Sequence, residues 1–234
     1  MVCNGHNSIG AGALSLKQLQ ASTEDYTRAI DIYEDRFEGK MRVKAETITQ
    51  MVCGETEDRE VLPYGLYSDG RVVGFCLLTL YKKERFVYAD YISIAKDVSS
   101  RSIGAAFNIG ARFLLLMGEE VKRLTNTFVL FEAGHAALVR VYKSLGAGIV
   151  DCEHIMPVLD MTLERVPGKV AIFPKPESIG KDRYLECLKT ILFKGYAEWV
   201  TPSLCPDDAA RYIEYITGIY DELKGLLPEE IYVI

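Results

Sequence analysis

Two groups of residues in this chain have types and spacings that could do chemistry. The first is Arg101-Ser102-Ile103-Gly104-Ala105-Ala106, where a β-rich run breaks into a polar turn and then becomes an apolar helical pattern. Gly104, Ala105 and Ala106 leave the first turn of that helix almost bare of side chains. A bare helix start presents unpaired backbone N–H groups and the positive end of the helix dipole, which suits a phosphate or pyrophosphate. The stretch is not a Walker loop, which needs Gly-Lys-Ser/Thr, nor a dinucleotide fingerprint, which needs three glycines at fixed spacing. The second is Asp90, in the middle of an apolar and aromatic strand-like run, Phe86 to Ile94. A carboxylate there is costly unless it is paired or functional. Burial would raise its pKa toward the range of a general base; the alternative is that it binds a substrate ammonium or pairs with a nearby Arg or Lys.

The elements that must position these residues follow from periodicity. Leu14 to Leu19 alternates as a short strand. Ser22 with Asp25 resembles a capping box, and Tyr26, Ile30, Tyr33 and Phe37 share one face of a helix over 23–37. A second helix over 44–53 ends at Gly54. The period then changes: Tyr64–Tyr67 and Val72–Tyr81 read as strands joined at Ser68-Asp69-Gly70-Arg71, a strong hairpin signal. The strand Phe86–Ile94 delivers the chain to the helix start, and Ile103, Phe107, Ala111, Leu114 and Met117 line one face of a helix reaching about Glu120. A strand over 127–131, a helix from Ala136 closed by Gly146, and a strand over 149–161 complete the unit. Pro167, Pro174 and Pro176 suggest a linker to two further helices, about 181–199 and 206–226. Their apolar faces must bury against the core, a partner subunit or a substrate, which would allow a homodimer. The expected organisation is a tail over 1–12, a main domain over 13–166 and a helical extension over 167–234.

Composition narrows the partners. Hydrophobic residues make 49% and charged residues 26% of the 234, with a net charge of −6. That balance argues against a nucleic-acid partner, because the phosphate backbone rewards basic patches. Six cysteines are scattered without a Cys-x-x-Cys pair and three histidines lie far apart, so no metal site is expected and the thiols read as reduced, in a cytoplasmic protein. No stretch reaches the length of a membrane span, and the N-terminus lacks the pattern of a signal peptide.

The Arg101–Ala106 stretch resembles the signature of the GCN5-related N-acetyltransferases (the GNAT superfamily): Arg or Gln, two residues, Gly, one residue, then Gly or Ala. A second resemblance follows the fifth strand. There the family carries an Asn, a short helix and Tyr-x-x-x-Gly-Phe; here Tyr142 and Gly146 match, while His135 stands for Asn and Ala147 for Phe. The resemblance covers roughly residues 14–163. It implies an α/β (α+β) fold, with a central mixed, mostly antiparallel twisted sheet flanked by helices. It also implies an acetyl-CoA-dependent transfer to a primary amine of a small molecule, an amino acid derivative or a peptide, by direct attack in a ternary complex. By the same resemblance Arg101, Ser102, Ile103, Gly104, Ala105 and Ala106 wrap the pyrophosphate, and Ile94, Ala95 and Lys96 meet the pantetheine arm. Backbone N–H groups near Ile94 and Lys96 would stabilise the oxyanion where the strand splays. His135 would touch the cofactor, and Tyr142 would donate a proton to its sulfur or only pack against it. Asp90 stands eleven residues before Arg101, the spacing at which histone acetyltransferases of the superfamily carry their glutamate base; Glu132 is a second candidate. Two alternatives stay open: a longer acyl-CoA or acyl-carrier protein as donor, and a non-catalytic interaction module.

Overall fold

The computed structural model describes residues 14–39, 42–54, 56–99, 103–125 and 128–234, with the side chains of 99, 103–108 and 125 outside that description. The expected N-terminal tail lies outside it. The chain begins with β1 (Ser15–Gln18), α1 (Glu24–Arg36) and α2 (Ala45–Cys53). The cap of α1 is Thr23 rather than Ser22: its hydroxyl accepts from Tyr26 N–H at 3.2 Å, a contact whose removal costs about 1 kcal/mol in comparable helices. Three long strands follow: β2 (Arg59–Ser68), β3 (Arg71–Tyr81) and β4 (Phe86–Ile94). The β2–β3 hairpin turns at Asp69 and Gly70, both at positive φ (50° and 76°), the conformation that an Asp-Gly pair supplies at low cost.

A short helix α3 (Lys96–Ser99) precedes the long α4 (Ile103–Thr125). Next come β5 (Val129–Ala133), α5 (Ala136–Ser144), β6 (Gly148–Ile149), β7 (His154–Pro157) and β8 (Arg165–Phe173). The main sheet runs β1-β2-β3-β4-β5-β8-β6, with β7 also on β8. Only the β4–β5 pairing is parallel among the described strands. The mixed, mostly antiparallel sheet expected from the sequence is thus present.

The stretch expected to be a linker is instead β8, inserted between β5 and β6, and the expected boundary at 166/167 falls inside it. Its pairing with β5 covers only Lys169–Phe173, so Pro167 lies past the end of β5, where a missing N–H costs that ladder nothing. The continuous strand expected over 149–161 is broken into β6 and β7.

The C-terminal part contains β9 (Ser178–Gly180), α6 (Lys181–Thr190), a π-helical segment (Ile191–Ala197), α7 (Glu198–Val200), α8 (Pro206–Leu226) and β10 (Glu230–Tyr232). These helices pack on the sheet itself. Tyr184, Leu188, Ile191, Leu192, Tyr212, Ile216 and Leu223 form one cluster with Tyr81, Phe86, Tyr88 and Leu130. α4 covers the opposite face through Phe113, Met117 and Val121, and α1 and α2 cover the N-terminal half of the face that the C-terminal helices share. No helix among the described residues is long and apolar enough to cross a membrane.

Candidate active site

The site begins with a break in the β3–β4 ladder. Leu78 pairs with Ala89 and Leu77 with Tyr91, so Asp90 is an extra residue, a β-bulge. A bulge resets the in–out alternation of a strand. Before it, Val87 and Ala89 face the α4 cluster; after it, Ile92 does. Tyr88 and Tyr91 face the other side. Regular alternation would have turned Tyr91 toward α4, whereas the bulge keeps it on the face that Tyr88 occupies. At the same point β4 leaves β5: their parallel pairing ends at Ala89 and Phe131. Asp90 therefore sits where the ladder is broken on one side and ended on the other.

Beside it is a cavity of about 380 Å³, lined among others by Phe37, Tyr88, Asp90, Tyr91, Glu132, Tyr196 and Trp199. Thr79 donates its hydroxyl to Asp90 Oδ2 at 2.7 Å. Burial pushes the Asp90 carboxyl up to about 7; the Thr79 hydrogen bond and the Arg59 charge pull against that rise, and Glu132 adds to it. The result is a carboxyl that exchanges a proton near neutrality, the property a general base needs.

Glu132, on the neighbouring strand β5, has the opposite character. Its Oε2 accepts from Tyr88 Oη at 2.5 Å and from Tyr196 Oη, and His154 Nε2 donates to its Oε1 at 2.5 Å. The pair is buried, with side chains 1% (His154) and 6% (Glu132) exposed. Burial alone would raise the Glu132 carboxyl, but His154 and the two tyrosines outweigh it and hold the group below the usual carboxylate range. Two carboxyls in one cavity are thus driven apart, one toward a proton-accepting role and one toward a permanent charge, a pattern that separates base from fixed anion.

The far wall comes from the C-terminal helices. Gly195, Tyr196 and Trp199 line the cavity from the π-helical turn and α7. The wider turn is anchored by Arg59 on β2, whose Nη1 donates to Lys194 O at 2.5 Å and to Glu198 Oε2 at 2.8 Å. π turns recur at functional sites because they re-aim side chains within a helix. Sequence periodicity carries a regular helix through this region and misses the turn, and with it Tyr196 and Trp199. Tyr88 and His154 were also missed; the signal available was only that each is a polar side chain in a strand.

The expected residues are distributed as follows. Asp90 and His135 both line the cavity, His135 as the residue before α5. Tyr142 does not line it. It belongs to the α4 cluster on the other face, 7% exposed, with its ring 5.1 Å from Phe131, and burial pushes its hydroxyl up to about 12. Ala95 N–H is used by Val73 O at 2.9 Å, and Ile94 pairs with Gly74, so the opening in the sheet begins at Asp90, upstream of the expected Ile94. Lys96 is half-exposed and bonds Asp35 at 2.7 Å. Arg101 and Ser102, and the side chains of Ile103, Ala105 and Ala106 with Gly104, lie outside the described residues; the helix itself starts at Ile103. Among the described residues no cluster could hold a metal ion.

No protein-family model matches the chain, and no curated protein matches it in sequence. Solved structures do. A candidate GNAT-family acetyltransferase from Bacteroides thetaiotaomicron superposes with a TM-score of 0.61 at 12% identity, covering 77% of this chain and 97% of its own. A candidate phosphinothricin N-acetyltransferase gives 0.52 at 15% identity, covering 70% of this chain and 100% of its own. At these identities the likeness is one of fold. The chain has the fold of the GCN5-related N-acetyltransferases.

Proposed function

We propose that the protein is an acetyl-CoA-dependent N-acetyltransferase that acts on a primary amine held in the cavity beside Asp90. The observation that carries this reading is Asp90 itself: a bulged strand residue at the opening between β4 and β5, with its carboxyl pushed up to about 7. An apolar cavity lowers the pKa of an entering ammonium and raises that of the carboxyl, so burial narrows the gap the proton must cross. The ammonium first releases one proton to solvent; as the neutral amine nitrogen then bonds to the thioester carbon, a second proton passes from it to Asp90. The carbon–sulfur bond then breaks, and the departing thiolate takes the proton of Tyr142, which burial keeps protonated through neutral pH. Acid and base thus stand on opposite faces of the sheet, with the gap between β4 and β5 as the passage joining them. A short acyl group is favoured because the cavity must also hold the acceptor. The start of α4 is where the donor's pyrophosphate would lie.

Calorimetric titration with acetyl-CoA, followed by pH–rate profiles on an amine panel, tests the reading. Wild-type turnover should rise with pH to a midpoint near 7. Asp90→Asn should lose about 10²-fold or more of turnover, together with that midpoint, while still binding acetyl-CoA. An unchanged profile in the variant would remove Asp90 as base, and absence of acetyl-CoA binding would remove the donor.

A further inference from the structure

The lining of the cavity has a charge pattern that selects among amines. Its described residues include two carboxylates, Asp90 and Glu132, and no lysine or arginine. Arg59, the cation that acts on Asp90, is already bonded to Lys194 O and Glu198 and is 9% exposed. A substrate carboxylate or phosphate entering here would therefore be desolvated beside like charge with no lysine or arginine among the described lining residues to pair with, which costs several kcal/mol. A second ammonium would fare little better. Glu132 already accepts from three donors, and the rest of the described wall is apolar apart from Asp90, His135, the Trp199 N–H and the polar groups of its tyrosines. Aromatic rings dominate one side: the ring centroids of Phe37 and Tyr91 are 5.0 Å apart and those of Tyr91 and Trp199 6.3 Å apart, a surface that suits an aryl or branched alkyl guest. At about 380 Å³ the cavity lies toward the small end of the roughly 300–1,000 Å³ of small-molecule sites.

Resting on the acetyltransferase reading, we infer that the acceptor is a compact monoamine with an aryl or branched alkyl body and no second charge, not an amino acid, polyamine or peptide. The specificity wall is the C-terminal π turn and α7: Tyr196 fixes Glu132 from that side, and Trp199 closes the aromatic surface.

Trp199 is the only tryptophan of the chain, so its emission reports on this cavity without need of turnover. The full-length protein, alone and with coenzyme A, would be titrated at pH 8 with 2-phenylethylamine, 3-methylbutylamine, phenylalanine, spermidine and a tetrapeptide with a free N-terminus. The two monoamines should shift the emission saturably and bind at least tenfold tighter than phenylalanine, which has the body of the first plus a carboxylate. Leu138→Arg, at an exposed lining position on α5, places a guanidinium at the cavity wall and should narrow that ratio at least threefold. Parity of phenylalanine or spermidine with the monoamines, no emission change with either monoamine, or a ratio unchanged in Leu138→Arg would overturn the inference. Failure of the acetyltransferase reading looks different: the monoamines bind, but acetyl-CoA does not, and no acetylamide appears by mass spectrometry.

Discussion

Where β4 leaves β5, the two faces of the sheet are filled in opposite ways. On one face about 380 Å³ stays open, rimmed by Asp90, Glu132 and three tyrosines. On the other, the space among the described residues beside Tyr142, Leu114, Phe131 and Phe173 is a pocket of about 10 Å³. The strands that form both faces are the same, so the difference comes from what covers them. α4 lays a regular apolar stripe on its side, Phe113, Met117 and Val121, all buried to within 1%. On the cavity side the bulge at Asp90 and the π turn at Ile191–Ala197 both depart from regular geometry, and the cavity lies between these two departures. Regular elements pack closed; the space for chemistry lies where two irregular ones face each other.

That contrast can be broken from either side. The largest effect is expected on the open face, in the loss of turnover of Asp90→Asn described above. The same variant should be more stable than the wild type at pH 8. An unfolded aspartate titrates near 3.9, whereas native Asp90 holds its proton to about 7. Between those values the native state binds a proton that the unfolded chain has released, so raising the pH favours unfolding across that window and no further above it. Asp90→Asn escapes this, and its advantage should be roughly 2–4 kcal/mol in denaturant melts at pH 8 and vanish toward pH 4. An equal gap at both pH values would mean that the carboxyl is not perturbed by burial.

Next in size is the packed face. Tyr142→Phe removes one hydroxyl from a residue that does not line the cavity, so the KM of the amine should hold while kcat drops about tenfold. A changed amine KM with kcat intact would place Tyr142 on the acceptor side after all. The smallest effect sharpens the base itself. Thr79→Val keeps the shape of the side chain and removes the hydroxyl that favours ionised Asp90. The midpoint of the pH–rate profile should move up by roughly half a unit to one unit, with turnover at high pH nearly unchanged. A midpoint that stays in place would assign the titration to another group.

Much of the scaffold was legible because it obeys simple periods. The β2–β3 hairpin, β4, α2 and α8 stand within a few residues of where alternation, glycine and proline place them. Asp90 was legible as a carboxylate in an apolar strand, but the bulge that keeps Tyr91 on the cavity face beside it was not, because a one-residue insertion leaves the alternation on each side intact. β8 was hidden by Pro167 and Pro174, which read as a break when the positions they occupy do not need an N–H for the β5 ladder. The Glu132–His154 pair joins residues from β5 and β7, with α5 and β6 between them in the chain, and no local pattern announces such a contact. Tyr196 and Trp199 were hidden by a single wide turn in an otherwise regular helix.

Arg59 ties the second strand to a carbonyl 135 residues later in the chain. During synthesis a chain emerges from its N-terminus and folds in parts as it does so. Asp90 and Glu132 are therefore in place long before Tyr196 and Trp199 exist to enclose them, and Arg59 waits as an uncommitted cation on a finished hairpin. The cavity is among the last parts of the molecule to be completed, and a chain halted shortly before Lys194 would carry both carboxylates but lack the wall that encloses an acceptor.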